Sequence, residues 1–229
     1  EDAYGINILP LAAFATSAYA DDPCVGFGLK GSPDLPPQEL EMNVKIQKAM
    51  AILQFKVEAQ LIDENPDKAE MYIDKLVDIQ CEIHAQYMPL LSKLKDKLAR
   101  QIKSLSQIDE IKKYELLTRL DSMPKHIKLC HNNFSPDCVI LNDEGTYVLN
   151  WGSARQGNAS ADVAKTYLLL SLKRPQYADM YLQKYCQKTG TSKKYVQQWL
   201  PIVAAAQLDR GIESEKEFLM RWLDVVEYD

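Results

Sequence analysis

The spacing of apolar residues predicts that most of the chain beyond residue 37 is helical. From residue 38 to residue 62, and again after Asn65-Pro66, apolar side chains recur every three or four positions, which places them on one face of a helix. Asn65 is a suitable N-cap and Pro66 fits the first helical position, so a helix should begin there. Its predicted buried residues are Ala69, Tyr72, Ile73, Leu76, Val77, Ile83 and Tyr87.

Two further helices are predicted before residue 125. The first is defined by the spacing of Leu91, Leu94, Leu98 and Ile102. The second begins at residues 106–109, whose sequence resembles a capping box. Its predicted inward face consists of Ile108, Ile111, Tyr114, Leu117 and Leu120.

The pattern changes between residues 125 and 149, where short apolar runs flank a turn. Residues 127–129, 138–141 and 146–149 are predicted strands, and the last two form a hairpin around residues 142–145. Helices resume near Ser160, with caps predicted at Ser192 and Ser214. A lone hairpin is not stable by itself, so it should pack on the helices, and its loops are natural positions for a site. The predicted fold class is α+β, mainly α.

Composition and charge narrow the functional classes. The 229 residues are 46% hydrophobic and 26% charged, as in ordinary globular proteins, and the net charge of −5 disfavours nucleic acid and anionic membranes as partners. We therefore expect a small molecule or a protein as partner, and no membrane span. The five cysteines are widely spaced without a metal-binding pattern, which favours reduced thiols in the cytoplasm and no structural metal.

The sequence predicts that residues 1–37 form an irregular segment and that residues 38–229 form one domain. Residues 6–20 are mostly apolar and end in an Ala-Tyr-Ala sequence, which is typical of a secretory signal, but the acidic flank Glu1-Asp2 is not. The segment is therefore either buried structure or the remnant of a signal that would make the protein secreted or periplasmic. Glycines and prolines interrupt residues 21–37, and the glycines at 26–31 indicate a turn rather than a phosphate-binding loop.

One loop and the segments that follow it carry the clearest chemical signal. Residues 129–141, 149–151 and 159–168 resemble the C-terminal lobe of the aminoglycoside phosphotransferase and choline-kinase-like family. Residues 79–85, which include His84, are similar to the helix that precedes the catalytic loop in that family. The resemblance implies a protein-kinase-like C-terminal helical lobe with a small β-hairpin and no complete N-terminal β-lobe.

The same resemblance implies roles for five residues. Asn133 occupies the position of the catalytic base, but an amide is not a base at neutral pH. Cys138 and Asn150 occupy the two Mg²⁺-binding positions, where sulfur and a neutral amide are poor ligands for a hard cation. His131 corresponds to a largely structural histidine. Asp162 corresponds to an acid that braces the catalytic loop, although a helix N-terminus also favours an acidic residue for its dipole alone.

These substitutions predict a degenerate phosphotransferase, a pseudokinase-like protein that binds a ligand or partner without efficient phosphoryl transfer. On that hypothesis the protein is not an enzyme and needs no cofactor. One alternative is an active small-molecule kinase that uses ATP and Mg²⁺ and is completed by a lobe missing from this chain. Another is a helical interaction protein, secreted if the N-terminal signal is genuine.

Overall fold

The computed structural model describes residues 56–57, 62–142 and 145–224. Within these ranges the protein is α+β and mostly helical, with small antiparallel sheets, which confirms the predicted fold class at this level. The strands are β1 (Lys56–Val57), β2 (Lys128–Cys130), β3 (Val139–Asn142), β4 (Gly145–Val148) and β5 (Arg155–Gly157). The helices are α1 (Ala69–Ala85), α2 (Leu94–Ser104), α3 (Glu110–Ser122), α4 (Ala159–Lys173), α5 (Pro175–Thr189), α6 (Lys193–Gln197), α7 (Leu200–Leu208) and α8 (Glu213–Arg221).

The chain divides into two compact units. The first consists of Glu1–Tyr72 and Asn133–Ala154. Its described part contains an antiparallel sheet in the order β1-β3-β4. The β3–β4 pairing joins Val139 to Val148 and Ile140 to Tyr147, and this is the predicted hairpin.

The second unit consists of Ile73–Asn132 and Arg155–Asp229, and α4 lies at its centre. Every residue of α4 from 160 to 170 is buried, and the helix packs against α5, α6 and α7. Helix α7 is also buried along its whole length and contacts α2, α3 and α8. Both helices are surrounded by other parts of the protein along most of their length, so α4 and α7 form the core on which the other helices pack.

Several helix boundaries agree with the sequence prediction. A short 3₁₀ turn at Pro66–Lys68 leads into α1, with Asn65 at its N-cap but without the capping hydrogen bond from its side chain. Ser192 caps α6 as predicted, because its Oγ accepts a hydrogen bond from the backbone N–H of Tyr195 at 3.2 Å. Helix α5 ends where Gly190 adopts a left-handed conformation with φ of 69°, a common way for a helix to stop.

Other predictions about helix faces and caps are wrong. Tyr87, Ile111 and Tyr114 are exposed, since α1 ends before Tyr87 and α3 turns Leu116 inward in addition to the predicted Leu120. The apolar residues of α3 lie on two adjacent faces, and periodicity alone does not say which face is covered. Asp109 caps α3 by accepting the N–H of Lys112 at 2.7 Å, so the helix begins later than the predicted capping box. Ser214 is not a cap, because α8 starts at Glu213 after Ile212.

Two strands also differ from the prediction. Lys56–Val57 is a strand paired with β3, where the sequence predicts helix, and the rest of the predicted helix up to residue 61 lies outside the described residues. Strand β5 has no apolar pattern, and it forms because Leu129 and Cys130 of β2 pair with Gln156 and Arg155. The predicted domain boundary at residue 37, with residues 1–37, also lies outside the described residues and stays a prediction.

Candidate functional site

In the second unit, the carboxylate of Asp162 lies in the first turn of α4 and accepts several buried hydrogen bonds. It accepts two successive backbone N–H groups from the loop after β2: Oδ2 accepts from His131 at 3.1 Å and Oδ1 accepts from Asn132 at 2.5 Å. Asn132 has a left-handed backbone with φ of 60°, an unusual conformation for a residue other than glycine. The two hydrogen bonds from one carboxylate fix this bend in the loop.

Side chains of α1 reach the same carboxylate. His84 Nε2 lies 2.9 Å from Asp162 Oδ2, and Gln80 Nε2 donates to that oxygen at 3.4 Å. The hydroxyl of Tyr181 on α5 donates to Gln80 Oε1, and the hydroxyl of Tyr185 lies 3.3 Å from His84 Nδ1. Because an ionised carboxylate only accepts, His84 donates from Nε2, and its neutral form accepts the Tyr185 hydroxyl at Nδ1. The network therefore ties α1, α4 and α5 together around one buried charge.

Asp162 remains ionised despite being fully buried. Burial alone would raise the pKa of Asp162, but the hydrogen bond and charge of His84, the charge of His131 and the N–H of Asn132 outweigh it and lower the pKa. Each carboxylate oxygen already has donors, as buried charges generally require. The arrangement suits a structural anchor for the loop rather than a base or a metal ligand.

The other three predicted site residues lie together in the first unit, around the sulfur of Cys138. The Cys138 thiol donates to the backbone carbonyl of Asn133 at 3.3 Å, and Asn150 Nδ2 donates to the sulfur at 3.7 Å. Ser135 Oγ lies 3.8 Å from the same sulfur. Asn150 has a left-handed backbone with φ of 64°, just before the short 3₁₀ turn at Trp151–Ser153. The structure thus brings Asn133, Cys138 and Asn150 together, while the roles predicted for them and for His131 stay predictions.

These residues do not fit a divalent metal ion. Burial raises the pKa of the Cys138 thiol, and the hydrogen bonds from Asn150 and Ser135 offset this only in part, so the sulfur keeps its proton and is a poor ligand. Asn150 could offer only one neutral carbonyl oxygen. Across residues 62–142 and 145–224 there is no group of three or more histidine, cysteine or acidic residues that could hold a metal. Asp143 and Glu144, the acidic residues of the hairpin turn, lie outside the described residues.

Membrane insertion has no candidate among the described residues. None of the helices in those ranges has the length and apolar character that crossing a bilayer requires.

The described cysteines at positions 81, 130, 138 and 186 are free thiols.

Comparison with known proteins gives a consistent result over the amino-terminal half. The family described as firmicute fructose-1,6-bisphosphatase matches residues 1–117, about half of the chain. A class 3 fructose-1,6-bisphosphatase of Clostridium botulinum is 44% identical over 81 residues, covering 33% of this chain and 12% of the relative. That of Clostridium novyi is 31% identical over 172 residues, covering 64% of this chain and 25% of the relative. The chain therefore spans about a quarter or less of the length of these relatives.

A solved structure resembles the fold at much lower sequence identity. The crystal structure of LicA in complex with AMP has a TM-score of 0.50 and 19% identity, and the match covers 66% of this chain and 56% of LicA. At this identity the likeness concerns the arrangement of the backbone and not the chemistry of the site.

These matches correct the functional predictions. The assignment to the aminoglycoside phosphotransferase and choline-kinase-like family is wrong, because the matching family and relatives are named fructose-1,6-bisphosphatases. The predictions of a pseudokinase-like binding protein, of an ATP-dependent kinase and of a helical interaction protein are wrong for the same reason. Bisphosphatases of this class generally depend on a metal ion, so the expectation that no cofactor is needed is also wrong.

The family match begins at residue 1 and includes residues 1–37, for which the sequence predicts only an irregular segment. Apart from residues 79–85, the segments that resemble the kinases lie beyond residue 117 and outside the match. Apolar content, glycines and prolines indicate local conformation in residues 1–37, but they carry no information on ancestry. The match covers these residues and the predicted helices up to residue 117, and the chain belongs to the firmicute fructose-1,6-bisphosphatase family.

Proposed function

We propose that this chain serves in the hydrolysis of a phosphate ester of fructose 1,6-bisphosphate, the reaction named by its relatives. The observation that carries this proposal is the family match over residues 1–117. The identity of 31% over 172 residues to the Clostridium novyi enzyme supports it. In this reaction water adds to phosphorus and the ester oxygen leaves with the sugar, so the products are inorganic phosphate and a fructose monophosphate.

The described helical residues act in this proposal as a scaffold. Asp162 is engaged by His84 and by two backbone N–H groups, and Cys138 is a neutral thiol, so neither suits a catalytic metal. We therefore propose that the metal ligands of the enzyme lie outside residues 62–142 and 145–224. Asp162 is a positioning residue in this account, since it holds the backbone of residues 131–132 without offering a free oxygen to a substrate.

For the fold, we propose the finer arrangement of a protein-kinase-like C-terminal lobe. The likeness to LicA supports it, as does the loop after β2 that is bonded to an acid at the start of a following helix. An experimental structure of the full chain tests it. We expect α4 between α5 and α7, with Asp162 within hydrogen-bond distance of both loop N–H groups, and a different helix order around α4 would contradict it.

We also propose a cytoplasmic location, which the free thiols of the described cysteines support.

The function is tested by measuring inorganic phosphate released from fructose 1,6-bisphosphate by the full chain. Parallel reactions contain Mn²⁺, Mg²⁺ or a chelator, and fructose 6-phosphate replaces the bisphosphate in a control for non-specific phosphatase activity. We expect phosphate release that requires the bisphosphate and stops with chelator. Release that is absent with every metal, or equal for both sugars, would overturn the proposal.

The scaffold role has its own test in the same assay. An Asp162→Asn variant should lose stability while the metal concentration for half-maximal phosphate release stays unchanged. A large increase in that concentration would show that Asp162 takes part in metal binding and would contradict the assignment.

A further inference from the structure

Lys165 is a lysine in the interior of the second unit. It lies on the central helix α4, and only 6% of its surface is exposed. Its Nζ donates a hydrogen bond to Oε1 of Gln207 on α7, which is a neutral acceptor. Burying an ammonium group opposite a neutral amide is unfavourable, so this position favours the uncharged amine.

Gln207 connects Lys165 to a third helix. Its Nε2 donates to Glu215 Oε2 at 2.6 Å, and Glu215 lies in the first turn of α8. One amide side chain therefore bridges a buried amine and a half-buried carboxylate. The chain of hydrogen bonds crosses from α4 through α7 to α8.

Within the part of the chain that the structure describes, helix α8 has few buried side chains. Leu219 is the buried residue within the helix, and most of its other side chains are exposed. Trp222, just after the helix, makes an edge-on contact with Tyr167 of α4 at a ring distance of 6.1 Å. Elements with few buried contacts open at lower free energy than core helices, so α8 should open more easily than α4 or α7.

The charges that face Lys165 come from each neighbouring element. Burial lowers the pKa of Lys165 to about 7, with Arg210 after α7 and Lys97 on α2 acting in the same direction. Glu215 on α8 and Asp162 on α4 raise it in part. Release of α8 would admit water to the amine and remove the burial that lowers its pKa.

We propose that Lys165, Gln207 and Glu215 form a pH-dependent latch that holds α8 on α4 and α7, and that proton uptake by Lys165 weakens it. The sign follows from linkage. Between about pH 10.5 and pH 7 the open state binds one proton more than the closed state, so opening becomes about tenfold more favourable for each pH unit of decrease. Below pH 7 both states are protonated and the dependence ends.

Amide hydrogen exchange followed by NMR on the full chain tests the latch. Opening constants of α8 amides, corrected for the intrinsic pH dependence of exchange, should exceed those of α1 amides. They should fall about tenfold per unit between pH 7 and pH 9 and be constant below pH 7. Equal opening constants for α8 and α1, or α8 constants that do not change with pH, would overturn the proposal.

Variants separate the latch from a general effect of charge. Lys165→Met keeps a long side chain without the amine and should abolish the pH dependence. Lys188→Met removes an exposed lysine and should leave it unchanged. The pH below which the α8 opening constants stop changing should be lower in Glu215→Gln and higher in Arg210→Gln. The reason is that Glu215 raises the pKa of Lys165 and Arg210 lowers it. A shift of this pH in the same direction in both variants would contradict the proposed role of Lys165.

Discussion

His84 Nε2 and Asp162 Oδ2 lie 2.9 Å apart in the interior of the second unit, with side chains that are 3% and 0% exposed. Seventy-eight residues separate them in the chain, so the pair fixes a long-range contact between α1 and α4. The same carboxylate holds the backbone of residues 131–132. One buried charge thus organises two helices and a loop.

Replacing Asp162 by asparagine should destabilise the protein strongly. An asparagine side chain presents one acceptor and one donor, so at least one of the N–H groups of His131 and Asn132 loses its partner. Breaking a buried charged pair costs about 3–5 kcal/mol, and we expect a decrease of about 3 kcal/mol in the free energy of unfolding measured with urea. Asp74→Asn, which removes a half-exposed pair with Lys184, should cost less than about 1 kcal/mol. Equal losses in the two variants would contradict the anchoring role.

The contribution of Asp162 should disappear in acid. Because the folded protein lowers the pKa of Asp162 below its ordinary value of 3.8, this stabilisation is complete above about pH 4. It is lost as the pH falls through the lower folded value. The difference in unfolding free energy between the natural chain and Asp162→Asn should therefore shrink between pH 4 and pH 2, as followed by denaturant titration at each pH. A constant difference over that range would show that Asp162 is not an ionised anchor.

Helix caps offer a direct comparison between a bond that forms and one that does not. Asp109→Ala removes the acceptor for the Lys112 N–H at the start of α3 and should cost about 1 kcal/mol in thermal or urea unfolding. Ser214→Ala should change stability by less than about 0.5 kcal/mol, because α8 starts at Glu213 without a side-chain cap. A larger loss for Ser214→Ala than for Asp109→Ala would contradict the observed boundaries.

Gly157 in β5 tolerates no side chain. A Cβ at this position would lie 2.7 Å from Cβ of Leu94, which is closer than two carbon atoms can approach. Gly157→Ala should therefore force β5 away from α2 and cost about 1–3 kcal/mol. Leu94→Ala should not relieve the cost in the double variant, because alanine retains the Cβ that makes the contact. Recovery of stability in the double variant would argue against this geometry.

The sequence predicts those parts of the fold that depend on local patterns. Leu94, Leu98 and Ile102 recur at helical spacing and all are buried, and the β3–β4 hairpin follows from apolar runs around a turn. Strand β5 could not be predicted, since Arg155 and Gln156 form it only by pairing with β2. The exposed Ile111 and Tyr114 show the same limit, because tertiary packing decides which apolar face is covered.

The candidate site shows a different limit. Asn133, Cys138 and Asn150 lie together and Asp162 contacts the loop after β2, but these contacts do not test the roles that the resemblance implies for them. The sequence does not predict the buried pair of Lys165 and Gln207, because a lysine in a helix usually lies at the surface. Local sequence patterns also do not predict the family, since the match lies in residues 1–117 and not in the loop that suggested kinase chemistry.

The most direct measurement incubates fructose 1,6-bisphosphate with the full chain and a divalent metal in ¹⁸O-labelled water and analyses the phosphate that is released. Hydrolysis at phosphorus predicts released inorganic phosphate that carries one solvent oxygen, detected by mass spectrometry, without any requirement for ATP. Phosphate that carries no solvent oxygen, or phosphate that appears only as a group transferred from ATP to a sugar, would contradict the bisphosphatase assignment.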